Sequence, residues 1–199
     1  MRKVLLAIAL LFLFKVNHAQ INYGLKAGAN FARMADEFTD YKVGIGYFGG
    51  AFAEFGINKK LFIRPELLYS VESFKQQFGN GGSLNTAISY FNVPLLIGFR
   101  PVDKLKILGG FKWGYNLNAT FRAEGAKNSI KDFYKNDNSL SLGLDYRVMK
   151  GLGITLHYNH GINKLQTIQL ADDEGNSLGN KKFSLSRTFQ LGVSYSFTK

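Results

Sequence analysis

Cysteine is absent from the 199 residues, so no disulfide framework and no thiolate metal site is open to this chain. Proline occurs only 3 times, which excludes a proline-rich linker or a collagen-like repeat. Acidic residues are scarce, 14 against 25 lysines and arginines, and the formal charge of +11 directs any partner towards acidic surfaces. No segment carries the roughly 18 consecutive apolar residues of a membrane-spanning helix. Glycine and aromatics are plentiful instead, with 22 Gly, 18 Phe and 10 Tyr. A hydrophobic content of 46% argues against global disorder.

The N-terminus reads as an address. Met1-Arg2-Lys3 is a basic start, Val4 to Phe14 is an apolar run, and Lys15 to Gln20 turns polar. That order is the order of a secretory signal peptide, with cleavage expected after Ala19; a buried N-terminal helix is the competing reading. Residues 1–19 are thus read as signal peptide and 20–199 as one barrel domain. Loss of Arg2, Lys3 and Lys15 lowers the formal charge from +11 to +8.

Period two runs through the remainder. From Phe183 to Phe197 the odd positions are Phe, Leu, Arg, Phe, Leu, Val, Tyr and Phe, while the even positions are Ser, Ser, Thr, Gln, Gly, Ser and Ser. Such a segment is a strand with two chemically opposite faces. The same alternation predicts eight strands over 21–33, 43–57, 61–74, 86–100, 105–121, 138–149, 152–163 and 183–198. Most exceed the 9–11 or so residues that a tilted membrane strand needs.

Short and long links alternate. Asn58-Lys59-Lys60, Pro101 to Lys104 and Lys150-Gly151 are tight turns, whereas 34–42, 75–85, 122–137 and 164–182 are longer and polar. Outer-membrane barrels alternate in this way, with short turns in the periplasm and long loops outside. An even strand number then puts both termini in the periplasm. A soluble lipocalin-like barrel also alternates but packs its apolar face inward. Here the polar face is made of Gly, Ser, Asn and Thr with few charges, and the lysines lie mainly in loops. Tyr23, Phe55, Phe99, Tyr146, Tyr195 and Phe197 gather near the short turns, and Tyr69, Phe91, Tyr115 and Phe189 towards the long loops, as two interfacial girdles would. The expected fold is an all-β, eight-stranded antiparallel up-and-down transmembrane β-barrel with its apolar face to lipid.

Lys26, Glu54, Arg64, Glu66, Glu72, Lys106, Lys112, Asp145, Arg147 and His157 then fall on the inward face. Eight strands leave an interior just wide enough for side chains, and buried charge requires a partner, so an ion-paired filled interior is expected. A narrow proton or solute path is the sharper alternative. His157 and Asp145, with Ser194, would nominally make a hydrolase arrangement, but no nucleophile elbow accompanies them. Asp172-Asp173-Glu174-Gly175-Asn176 lacks EF-hand ligand spacing and reads as a solvated loop tip. Lys127, Lys131 and Lys135 recur every four residues and, on a short helix, would share one face towards lipopolysaccharide phosphates. No nucleic-acid motif is present.

The segment Gln190-Leu191-Gly192-Val193-Ser194-Tyr195-Ser196-Phe197 resembles the outer-membrane assembly signal through Gln190, Gly192, Tyr195 and Phe197, with Thr198-Lys199 as an extension. Three further segments carry a wider likeness: Gly24 to Asn30, Arg64-Pro65-Glu66-Leu67-Leu68-Tyr69-Ser70, and Tyr90 to Gly98. Through them the chain resembles the PorT-like outer-membrane β-barrel proteins of Bacteroidota, and the Ala19-Gln20 end of the leader looks typical of that phylum. The resemblance implies an outer-membrane barrel and, through the namesake branch, a link to protein secretion; it supplies no catalytic residue. The expectation is a non-enzymatic structural or interaction protein without cofactor. Its partners would be outer-membrane lipid, lipopolysaccharide phosphates and the barrel-assembly machinery. A transport or secretion-accessory component is the alternative, and a membrane-embedded lipid-modifying enzyme the third reading.

Overall fold

The computed structural model describes residues 21–35, 41–77, 83–123, 126–171, 177–183 and 185–198. The expected signal peptide (residues 1–19), Gln20 and the acidic segment 172–176 lie outside them. Eleven strands follow in chain order: β1 (Ile21–Ala35), β2 (Tyr41–Gly56), β3 (Leu61–Gln77), β4 (Ser83–Val102), β5 (Leu105–Ala123), β6 (Ala126–Ser129), β7 (Asp137–Arg147), β8 (Leu152–Gly161), β9 (Gln166–Ala171), β10 (Ser177–Phe183) and β11 (Leu185–Ser196). Nine of them form one antiparallel sheet, in which short β6 is appended to β5 and the other eight, β1–β5, β7, β8 and β11, make the barrel wall. It closes on itself where β1 pairs β11, from Gly24↔Ser196 to Ala35↔Leu185. The fold is therefore a closed eight-stranded antiparallel β-barrel.

The apolar face points outward. Ile45, Leu142 and Ile97 are 67%, 65% and 63% exposed, and Tyr23, Tyr115, Tyr146, Phe189 and Tyr195 are each about half exposed. Lys26, Arg64, Glu66 and Lys112 are at most 3% exposed. An apolar exterior around a charged interior is the inverse of a soluble barrel and suits strands bathed in hydrocarbon.

Three tight turns make one end. At the β2–β3 turn, Asn58 Oδ1 accepts from the N–H groups of Lys60 (2.9 Å) and Leu61 (2.8 Å). Gly151 turns β7 into β8 with φ +80°, a conformation open to glycine and strained for other residues. The start of β1 and the end of β11 meet here: Phe197 N–H donates to Tyr23 C=O at 2.9 Å, and Thr198 Oγ1 donates to Asn22 Oδ1.

The other end departs from the alternation, and β2 carries a register shift against β3 there between Val43 and Tyr47. The ladder of β3 and β4 continues to Gln77↔Ser83, beyond the expected 74 and 86, because backbone pairing needs no apolar face. The expected last strand is divided: β10 ends at Phe183 and pairs with β9 as a separate hairpin, and the barrel strand begins at Leu185. Finally, Ser89 faces Asn118 but Tyr90 faces Asn116, so Leu117 is an extra residue in β5. This β-bulge reverses the faces beyond it. Ala119, outward by strict alternation, is instead fully buried.

Candidate functional site

The interior carries the chemistry. Ion pairs among the described residues join five cations (Lys26, Arg64, Arg100, Lys106, Lys112) to five carboxylates (Glu54, Glu66, Glu72, Asp137, Asp145). The charges balance, as the cost of burying them requires.

Near the short turns Glu54, wholly buried in β2, is the hub. Its carboxylate accepts from Arg64, from Arg100 at 2.8 Å, from Lys106 at 2.7 Å and from Asn22 at 3.1 Å. Arg64, 1% exposed, spans three carboxylates, reaching Asp145 at 2.5 Å and Glu66 at 3.6 Å besides Glu54. Glu66 in turn meets Lys26 at 2.7 Å. Asp145 receives His157 Nε2 on its other oxygen at 3.1 Å.

Aromatic rings hold these cations in place. Phe62 lies beneath Arg100 (4.2 Å from the ring centre), Arg64 (5.7 Å) and Lys106 (5.7 Å), and Phe52 lies beneath Arg64 (4.8 Å). Glycines make room for the rings. A Cβ at Gly98 would stand 2.0 Å from Phe62 Cζ, and one at Gly192 2.8 Å from Phe48 Cζ.

Towards the long loops the chemistry softens. Lys112 bridges Asp137 (2.9 Å) and Glu72 (3.5 Å), and Glu72 also accepts from Thr188 (2.9 Å) and Ser186 (3.3 Å). Asn30 donates to Ser70 Oγ (2.8 Å) and accepts from Gln190 (2.9 Å). Beyond them, Ala32, Met34, Phe74, Ile88, Tyr90 and Ala119 close over with Tyr134 and Leu165 from the links outside the barrel strands. Lys135 N–H donates to Leu165 C=O at 2.8 Å and Asn116 Nδ2 to Tyr134 C=O at 2.8 Å, which fixes this apolar plug.

The interior is not filled from end to end. At the short-turn end Gly151, Gly153, Ser194, Ser196 and Asn22 line one side with small residues, and a vestibule of about 1090 Å³ opens there. Its inner wall is Arg64, Asp145 and Lys106.

The ten charged interior candidates divide accordingly. Lys26, Glu54, Arg64, Glu66, Glu72, Lys112, Asp145 and His157 are buried, and Lys106 is partly covered. Arg147 has the inward parity but lies exposed at the mouth of the vestibule, because β7 ends with it. Ser194 does not complete a triad. It pairs with Gly153, whereas His157 faces Gln190, four residues away, or about 13 Å along a strand. The three loop lysines do not share a helix. Lys127 belongs to β6, and Lys131 opens a 3-10 helix of only three residues. Lys131 and Lys135 do border one cleft of about 560 Å³ with Tyr134 and four asparagines. In the assembly-signal segment, Gln190 points inward, Gly192 admits Phe48, and Tyr195 and Phe197 face outward, each 51% exposed. No group of three or more acidic or histidine residues with metal-binding geometry exists among the described residues.

Arg100 and Asp137 complete the network without having stood among the sequence candidates. Both have the inward parity of their strands, Arg100 with Asn92 and Gly98, Asp137 with Asp145, and that parity was the signal.

Residues 16–166 match the family described as outer membrane protein beta-barrel domain. The chain belongs to this family. Membership places it in the outer membrane of a Gram-negative bacterium, in agreement with the apolar exterior. Solved structures share the architecture. Ail, the attachment invasion locus protein of Yersinia pestis, solved in complex with the heparin analogue sucrose octasulfate, is similar with a TM-score of 0.53 and 17% identity, over 89% of this chain and 99% of Ail. Neisserial surface protein A is similar with a TM-score of 0.55 and 16% identity, over 88% of this chain and 97% of its own. At these identities the likeness is one of fold. No curated protein sequence matches significantly.

Proposed function

We propose that this protein is a non-enzymatic, non-conducting barrel with a structural or interaction role in the outer membrane. The observation that supports this most strongly is the interior: a charge-balanced network backed by an apolar plug leaves no continuous aqueous path. Both termini and the short turns face the periplasm in this reading, and the long loops face outward. Lys131 and Lys135, at their asparagine-lined cleft, are suited to lipopolysaccharide phosphates. Gln190, Gly192, Tyr195 and Phe197 serve as the segment read by the barrel-assembly machinery.

Planar-bilayer recording tests this. The purified barrel is expected to be electrically silent. Steady conductance that changes when Lys112 or Glu66 is neutralised would overturn the reading in favour of transport. Loss of His157 is expected to leave lipid A unaltered; a changed lipid A profile would favour the enzyme. The vestibule on the short-turn side, together with the PorT-like segments, supports a second reading as a secretion accessory. That reading predicts a protein partner retained through gentle detergent extraction.

A further inference from the structure

Among the described residues, the vestibule gathers more cations than carboxylates. Behind its inner wall, Glu54 is already shared by Arg64, Arg100 and Lys106, and on that wall Asp145 is taken by Arg64 and His157. At its rim, Lys59, Lys104, Arg147 and Lys150 stand with a single side-chain carboxylate among the described residues, Asp103. Each of the three tight turns supplies part of this rim, so the cations surround the mouth rather than form a patch on one side. Arg100 and Lys106 retain 26% and 18% side-chain exposure, and both are seated on the Phe62 ring. They are therefore pre-positioned with donors to spare, since Glu54 takes only part of the hydrogen-bonding capacity of a guanidinium and an ammonium.

We propose that this vestibule is a binding site for a ligand carrying several phosphate groups, admitted from the short-turn end. Phosphate groups suit it better than single carboxylates. Each concentrates up to two charges and three acceptor oxygens in a small volume, and both arginine and lysine recognise that pattern. A cavity of about 1090 Å³ accommodates several such groups at once. The aromatics Tyr23, Tyr146, Tyr195 and Phe197 lie on the outer wall just beside this mouth. Their position at the membrane boundary brings an anionic lipid headgroup within reach of the rim, alongside a free soluble polyphosphate.

Calorimetric titration of the folded barrel with tripolyphosphate, in zwitterionic detergent at low salt, tests the site. Saturable binding of one equivalent is expected, weakening as salt is raised. The triple variant Lys104→Gln, Arg147→Gln, Lys150→Gln should bind about tenfold or more weakly, as expected when charge-assisted hydrogen bonds are removed. Its three side chains are exposed, so its heat-dependent mobility in SDS should match that of the parent. The loop-end control Lys42→Gln, Lys75→Gln, two exposed lysines paired across β2 and β3 at the opposite end, should bind as the parent does. Absence of saturable binding, or binding that the rim variant keeps and the loop variant loses, overturns the proposal. Citrate binding as tightly as tripolyphosphate would overturn the phosphate assignment. Native mass spectrometry separates the two sources. Cardiolipin, with two phosphates, retained by the parent and lost by the rim variant identifies a lipid headgroup, whereas no retained lipid alongside tripolyphosphate binding identifies a soluble ligand. The conductance test of the non-conducting reading is independent, because a silent barrel can bind or fail to bind.

Discussion

The two halves of the barrel interior solve the same packing problem with different chemistry. Towards the short turns, Glu54, Arg64, Asp145 and their partners are tied by direct charge-assisted bonds and seated on phenylalanine rings. Towards the long loops, one lysine serves two carboxylates, hydroxyls and amides fill in, and an apolar cluster seals the end. The first half is open to water and the second is closed. The difference shows that a small barrel need not be uniform along its axis. Charge is concentrated where solvent can reach it through the vestibule, and apolar packing is used where loop residues can complete it.

The comparison can be broken at several points. The largest effect is expected from Arg64→Met, which leaves Glu54, Glu66 and Asp145 short of a shared partner. Removing one member of a buried ion cluster costs about 3–5 kcal/mol. Urea unfolding of the folded barrel in detergent measures this, and a loss below about 1 kcal/mol would mean that the remaining cations cover for it. Next comes Leu165→Ala in the opposite half, where deleting a buried leucine side chain costs about 2–4 kcal/mol by the same assay. The substitution should also unseal the plug. A cysteine placed at Ala119 is expected to resist a membrane-impermeant maleimide in the parent and to react in the Leu165→Ala background. The chain has no other thiol to confuse the result. Gly98→Ala should cost about 1–3 kcal/mol through overpacking against Phe62. Because Phe62 carries three cations, the same substitution should weaken tripolyphosphate binding. The smallest effect on stability is expected at the rim, where Lys150→Gln should stay within about 0.5 kcal/mol. A cysteine at Lys59 sharpens the comparison in cells: it should label only after the outer membrane is permeabilised if the open half faces the periplasm.

Much of the barrel was legible in the sequence because its two faces differ so sharply. The alternation in β8, in β11 and in β7 as far as Tyr146 is borne out residue by residue, since a strand with lipid on one side and packed polar groups on the other leaves little freedom of register. Legibility failed where that contrast fades. The bulge at Leu117 lies among Asn116, Asn118 and Thr120, where neighbouring side chains no longer distinguish inside from outside. The β9–β10 hairpin extends past the barrel, so no apolar face announces it. Inside, parity identified which charges face inward but not which ones meet, because strand tilt and stagger bring together residues far apart in sequence, such as Arg64 and Asp145. The vestibule was hidden for another reason. It arises from small residues on three strands and one turn, and a sequence shows what side chains are present more readily than the space they leave.

The seam between β1 and β11 has a kinetic consequence. Its first partners, Gly24 and Ser196, are separated by nearly the whole described chain, and every other barrel pairing joins strands closer in sequence. The seam can form only after the last strand has been delivered, so until then both β1 and its neighbour at the other edge present unpaired N–H and C=O groups. Hydrocarbon cannot satisfy those groups. Insertion and closure are therefore coupled, and an incomplete chain has no stable resting place in the membrane.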